Sequence, residues 1–227
     1  MVAEYLLGKN SLQREGIYND LKRGLRKLDR MGIGPIDVAP WDIAGKLYQA
    51  PISELLGGYR ARLPVYASTY HGDAAIYLWL EDPYRDGGIS SFGHRTLRQI
   101  IKTPILIGEH LRGHELHVEA IVGGGTDFVR ADPDYDCGIT GVMKIAHSAE
   151  GFGLDVEVHA PGPAQRHCIA AIRNTNYYEL GLVHPRIPST TPPVYACDYS
   201  DDLQAIDAEG HVPVPRGPGV GVPIDWD

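Results

Sequence analysis

Residues 126–160 read TDFVRADPDYDCGITGVMKIAHSAEGFGLDVEVHA. DFVRAD and LDVEVHA are short runs of strand-forming residues, and Gly138 to Gly151 between them has helical spacing. Strand, helix, strand is a parallel βαβ unit. Each strand finishes in one polar group, Asp132 on the first and His159 on the second. Outward from this unit the rhythm repeats. YLWLEDP ends in Glu81, TPILIGEH in Glu109 and NTNYYE in Glu179. The connecting stretches 91–102, 113–122 and 163–175 read as helices. Apolar runs that each end in a single acid or imidazole are how a parallel barrel presents chemistry, because the strands bury themselves and their carboxyl ends share one mouth.

The front of the chain has a different period. Leu21, Leu25 and Leu28 fall at helical spacing among Lys and Arg, so residues 11–31 read as an amphipathic helix opened by an Asn10–Gln13 capping pair. A second helix is expected over 36–48, with Pro40 close to its first turn or the helix kinked there. LPVYAS, residues 63–68, starts the strands. From Asp198 onward Asp, Gly and Pro dominate, which reads as an extended closing segment. The division is therefore 1–62 helical, 63–197 strand–helix repeats, and 198–227 a tail packing on the helical region.

One join breaks the pattern. About seven residues, Thr69 to Ala75, separate PVYAS from IYLWLE, whereas parallel neighbours need a crossover of ~12 or more. Residues 63–227 also fall short of the ~250 of an eight-stranded barrel by about two and a half βα units. Both counts place the same gap after the first strand.

The composition is that of an ordinary globular protein, with 43% hydrophobic and 22% charged residues, enough for a sizeable core. A net charge of −8 argues against nucleic acid or an anionic membrane as partner. The apolar runs fall short of the ~18 residues of a membrane span. Three widely spaced cysteines fit free thiols in a reducing compartment, and the first residues lack a signal-peptide pattern. A soluble cytoplasmic protein is the expectation. His110, His114 and His117 fall at helical spacing with Glu115 beside them, which offers a surface zinc site, but without HExxH they read as structural or exposed histidines; GGG at 123–125 reads as a turn, and the Lys22, Arg23, Arg26, Lys27 cluster as a solvated helix face.

In this order and spacing, the motifs resemble the enolase superfamily, and within it the mandelate racemase subgroup. GIGPIDVAPWDIAGKLYQAPISELLGG (residues 32–58) is similar to the helical signature of that family's capping domain. YLWLEDP, PILIGEH, DFVRADPDYDCGITG and VEVHA resemble its successive barrel strands, and EGHVPVPRGPGVGVPIDWD resembles its tail. The resemblance implies an α/β fold: a TIM (β/α)8-type barrel that is incomplete, with the second and third strands missing, behind a helical remnant of an N-terminal capping domain. It implies a chain shortened at its front and by an internal deletion.

The resemblance also implies a chemistry. Glu81 and Glu109 match two of the three carboxylates that hold Mg²⁺, and the third is not found. Asp132 and His159 match an aspartate–histidine pair whose histidine is the acid/base. Glu179 matches the glutamate facing the substrate carboxylate from the other side. The activity implied is abstraction of a proton α to a carboxylate, and the expected reaction is dehydration of a sugar acid (aldonate or aldarate) through an enediolate. A hard cation offsets the second negative charge that abstraction creates, and one histidine can take the α-proton and return a proton to the leaving hydroxyl. Racemisation or epimerisation of a 2-hydroxy acid would call for two opposed bases. The departures support a different class: a catalytically silent homologue serving as scaffold or oligomer subunit. An opened barrel exposes strand edges, so a homo-oligomer is expected. His71 or Asp73 at the join are the candidates to substitute for the missing ligand.

Overall fold

The computed structural model of the protein describes residues 2–68, 78–84, 88–181 and 194–225. The seven strands are β1 (Arg62–Ala67), β2 (Leu80–Glu81), β3 (Ile105–Ile107), β4 (Phe128–Ala131), β5 (Asp155–Val158), β6 (Tyr178–Leu180) and β7 (His211–Pro213). The helices are α1 (Arg14–Gly24), α2 (Ile33–Tyr48), α3 (Ile52–Leu55), α4 (Ser91–Ile100), α5 (His114–Val122), α6 (Gly138–Gly151) and α7 (Pro163–Ala171). Strands β2, β3, β4 and β5 form one parallel sheet in chain order. The second sheet has the order β6-β1-β7, with β6 parallel and β7 antiparallel to β1. Among the described residues β1 and β2 are not hydrogen-bonded neighbours, as the short join requires. The join itself, with His71 and Asp73, lies outside the described residues.

A period of two sorts the strand side chains. Val129, Ala131, Val156 and Val158 face outward into the main core, with Ile139, Val142, Ile145 and Ala149 of α6. The alternate residues Phe128, Arg130 and Asp132 face the interior, as do Glu157 and His159. At the interior's floor Trp79 sits edge-on to Tyr66 at 5.3 Å and against Phe128 at 5.5 Å and Tyr177 at 6.5 Å.

Two expectations about the helical front need correction. Asn10 does not cap α1; its side-chain oxygen accepts Leu12 N–H at 2.9 Å in a local turn, and Gln13 flanks the helix without a side-chain cap. The helix then stops at Gly24 and a 3-10 turn follows, so 11–31 is not one helix. Pro40 does not lie in the first turn. Helix α2 begins at Ile33 and runs through Pro40. Proline is disfavoured in a helix interior, and burial against the barrel outweighs that: Pro40 is buried and Trp41 Nε1 donates to Thr140 Oγ1 at 3.0 Å.

Asp37 makes the join between front and barrel specific. It is 2% exposed and accepts Thr140 N–H at 2.8 Å, capping α6 from another helix. The α6 N-cap, Cys137, offers no side-chain cap of its own. Gly138 has φ +85, and a Cβ there would fall 2.3 Å from the Asp37 side chain, so this approach requires glycine. Lys22, read as solvated, instead reaches Glu115 on α5 at 2.5 Å. The tail lies on both parts. Ile52 N–H donates to Gly219 O at 3.0 Å, Val220 N–H to Asp42 Oδ1 at 2.9 Å, and β7 pairs with the first half of β1. No helix among the described residues is long and apolar enough to cross a membrane.

Candidate active site

The site is built on strand ends. Asp132 directly follows β4 and His159 directly follows β5, and parallel pairing of these strands sets the two side by side. His159 Nδ1 lies 2.6 Å from Asp132 Oδ2. Asp132 is 2% exposed and fixed in turn: its Oδ1 accepts Asp134 N–H at 2.7 Å and its own N–H donates to Asp136 Oδ2 at 2.8 Å. The three nearby aspartates thus have distinct parts. Asp136 also accepts Gly113 N–H at 2.9 Å, tying the loop before α5 to the loop after β4. The other His159 nitrogen, Nε2, lies 3.6 Å from Glu109 Oε1. Tyr135 stacks near the imidazole at 6.4 Å, with the Arg112 guanidinium 4.4 Å from its other contact centre, the ring centroid.

Burial works against a charged imidazole here. The hydrogen bond to Asp132 and the charges of Glu179, Asp132 and Glu109 outweigh it and lift His159 to about 9.

Glu179, on β6, is 5% exposed. Its Oε2 accepts Ala160 N–H at 2.8 Å, a bond made available by the positive φ of 64° at Ala160. The same oxygen lies 3.7 Å from Arg130 Nη1. Glu81 ends β2 and also faces Arg130. Arg130 Nε donates to Glu81 Oε1 at 2.6 Å and Nη2 to Oε2 at 2.5 Å, while Nη2 also donates to Tyr66 Oη at 2.8 Å. Arg130 is fully buried and its Nη1 has no hydrogen-bond partner. The four carboxylates and one imidazole expected to converge are brought together, Glu81 and Glu179 at Arg130 and Asp132 and Glu109 at His159.

Glu81, expected to face a metal ion, is paired here with a fixed cation: both its oxygens accept from Arg130. Arg130 reaches it because residues 128, 130 and 132 share the interior face of β4. Two other residues stand at the mouth. Asp82, Glu109 and His110 each bring a donor atom within 4.8 Å of the others. Asp82 Oδ2 is buried without a hydrogen-bond partner and lies 3.7 Å from His110 Nε2. Burial, then the Glu81 charge, pushes the Asp82 carboxyl up to about 6. An orphaned carboxylate oxygen beside a second carboxylate suits a divalent cation, which would supply the missing charge. Gly108, just before Glu109, is required for this placement: at φ +148 its Cβ would fall 2.0 Å from the Arg130 carbonyl oxygen.

His114 and His117 do not join that cluster. His117 is buried between the carbonyls of Gly113 and Arg130, each 2.9 Å away, and His114 lies 2.8 Å from Ser148 Oγ. GGG at 123–125 is a turn in which Gly125 N–H closes back on Ala120 O at 3.1 Å.

Comparison with known proteins adds the family context. Residues 1–57 match the N-terminal domain of mandelate racemase / muconate lactonizing enzyme, and residues 71–227 match the family described as Enolase C-terminal domain-like. A D-gluconate dehydratase of Thermoproteus tenax is 30% identical over 151 residues, 65% of this chain and 29% of that protein. A D-galactarolactone cycloisomerase of Agrobacterium fabrum is 32% identical over 181 residues, 74% of this chain and 45% of that protein. This chain thus spans less than half the length of either relative. The structure of D-glucarate dehydratase from Agrobacterium tumefaciens, complexed with magnesium, superposes with a TM-score of 0.85 at 22% identity, covering 100% of this chain and 80% of that one.

Proposed function

This chain belongs to the enolase-like family of mandelate racemase and muconate lactonizing enzyme, and from that premise we propose that it removes a proton α to a carboxylate in a sugar acid. The reaction we assign is dehydration of an aldonate or aldarate. The observation that carries this reading is the Asp132–His159 pair, 2.6 Å apart at adjacent strand ends, with the second imidazole nitrogen turned to the mouth. Relatives named as gluconate and talarate/galactarate dehydratases support the substrate class.

Asp132 holds the Nδ1 proton of His159 and so fixes which nitrogen faces the substrate. His159 Nε2 is then the atom that takes the α-proton. The same nitrogen can return a proton to the departing β-hydroxyl, so one imidazole serves both halves of the reaction. The first half needs a neutral Nε2, and the proton gained there is the one returned in the second half. Glu179, anchored by Ala160 N–H, lies across the interior from Glu109 and orients the substrate's polar end. Glu109 and Asp82 would hold a divalent cation, Mg²⁺ in the glucarate dehydratase structure; bound there, it would offset the second negative charge on the substrate carboxylate.

The test is proton exchange. The protein is incubated in D₂O with Mg²⁺ and a panel of aldonates and aldarates, and the α-proton and the 2-keto-3-deoxy product are followed by ¹H NMR. Loss of the α-proton signal, and its retention with His159→Asn, is expected. A folded wild-type protein that exchanges no member of the panel would favour the silent-scaffold reading. The capture of Glu81 by Arg130 is the one observation on that side.

A further inference from the structure

Arg112 is a cation at an acidic mouth with no acid to hold it. It stands in the loop between β3 and α5, shortly after Glu109, and its side chain is half-buried. That loop is fixed from two sides. Arg30 Nη1 in the helical front donates to the Arg112 carbonyl at 2.9 Å, and Gly113 N–H donates to Asp136 Oδ1 at 2.9 Å in the loop after β4. The guanidinium is placed by contacts of its own. Its Nη1 donates to the carbonyls of Glu109 and Leu111, and its centre lies 4.4 Å from that of the Tyr135 ring, a cation–π contact. Tyr135 in turn stacks beside the His159 imidazole at 6.4 Å, with the planes 22° apart. Among the described residues Nε and Nη2 have no acceptor, and the side chain forms no ion pair.

We propose that Arg112 is a specificity-determining residue: it receives a second carboxylate at the far end of the substrate, and so selects six-carbon diacids (aldarates) over the matching aldonates. The inference rests on the proposed function and narrows it. In that reading the first carboxylate is provided for by the cation at Glu109 and by Glu179. A guanidinium meets a carboxylate with two parallel N–H donors. Nε and Nη2 are such a pair, the same two nitrogens by which Arg130 holds Glu81. The terminal hydroxyl of an aldonate brings no charge to this fork. The length also fits. The path from the imidazole through the Tyr135 ring to the guanidinium is 6.4 Å and then 4.4 Å, and the direct separation is no longer than the two together. From the α-carbon of a six-carbon diacid to its far carboxylate an extended chain spans about 5 Å. A hydrogen-bond length of about 3 Å at each end covers the remainder.

The experiment uses the full chain with Mg²⁺ and two matched pairs of acids, galactarate with galactonate and glucarate with gluconate. The members of each pair differ only at the end remote from the first carboxylate. Binding is read by titration calorimetry and turnover by loss of the α-proton signal. Expected is a Kd at least ~10-fold lower for a diacid than for its partner, the loss of a charge-assisted hydrogen bond being worth that much, with the difference in turnover falling mainly on KM. Arg112→Gln should erase the preference by weakening the diacid far more than the aldonate. Arg112→Lys, which keeps the charge and loses the fork, should restore part of it. A residue that only braces the Glu109 loop would lower both members of a pair alike, and that result overturns the proposal. A wild type that binds both members equally, or binds none of the four acids, overturns it too. If a diacid binds selectively through Arg112 and no α-proton is lost, the second-carboxylate subsite stands and the dehydration reading falls.

Discussion

Replacing Arg130 with methionine tests the electrostatic centre of the molecule. Methionine keeps most of the buried volume and removes the charge. Glu81 then loses donors at 2.6 and 2.5 Å, and Glu179 loses the cation 3.7 Å away. A hydrogen bond to a charged group is worth ~1.5–3 kcal/mol, and breaking a buried pair from one side costs ~3–5 kcal/mol. The Glu81 side chain is 25% exposed and can turn partly to water, so the lower end, about 3 kcal/mol, is expected. Glu81→Gln placed on top removes the stranded charge and should return about 2 kcal/mol. Urea denaturation followed by far-UV circular dichroism of wild type, both single variants and the double variant gives the cycle. At ~2 kcal/mol per molar urea, the single variant's midpoint falls by more than 1 M. A cycle additive to within ~0.5 kcal/mol would show no coupling and would refute the account of Glu81 as a captured carboxylate.

Burial holds the Asp37 carboxyl at about 6, against an ordinary value of 3.8, in spite of its hydrogen bonds to Thr140. The folded chain therefore binds the proton more tightly than the unfolded chain, and stability falls as pH rises from about 4 to about 6. Asp37→Asn keeps an acceptor for Thr140 N–H and should flatten that stretch of a melting-temperature profile, with a gap of up to ~3 kcal/mol by pH 7; a parallel profile for both proteins would contradict it. Gly138→Ala, at φ +85 and 2.3 Å from Asp37, should cost more than ~2 kcal/mol in chemical denaturation. By contrast Gly16→Ala in α1 meets nothing within 4 Å and should stabilise by ~0.5–1 kcal/mol. Asp132→Asn should lower dehydration by ~10²–10⁴-fold with little change in melting temperature, measured as keto-acid formation.

The strand–helix order and the helix over 138–151 are legible before any coordinates, whereas the pairing of residue 132 with residue 159 is implied by the resemblance to the family; the first two are read from the chain itself. They depend on local periodicity and on strand ends, which a sequence displays directly. Arg130 was equally legible and was missed. Once Asp132 is placed at the mouth, a period of two puts residue 130 on the same interior face, where a charge must find a partner. The wrong position for Pro40 has another cause: the start of α2 is fixed by packing on α6, not by its own residues. His110 stood out only as one of three histidines at helical spacing, and its meeting with Asp82 was not legible for a third reason. Their meeting depends on two loops whose geometry is set by Gly108 and by a left-handed residue, and neither conformation is written in hydrophobic spacing.

Trp79 has a use beyond filling space. It is 8% exposed and touches Tyr66, whose hydroxyl is bonded to Arg130. An indole so placed should emit at short wavelength, and with Trp41 and Trp226 both replaced by Phe its signal can be followed alone. Any event that pulls the guanidinium away from the phenol passes to the ring through one contact. The molecule thus carries its own optical gauge of whether the charged layer above the floor is intact.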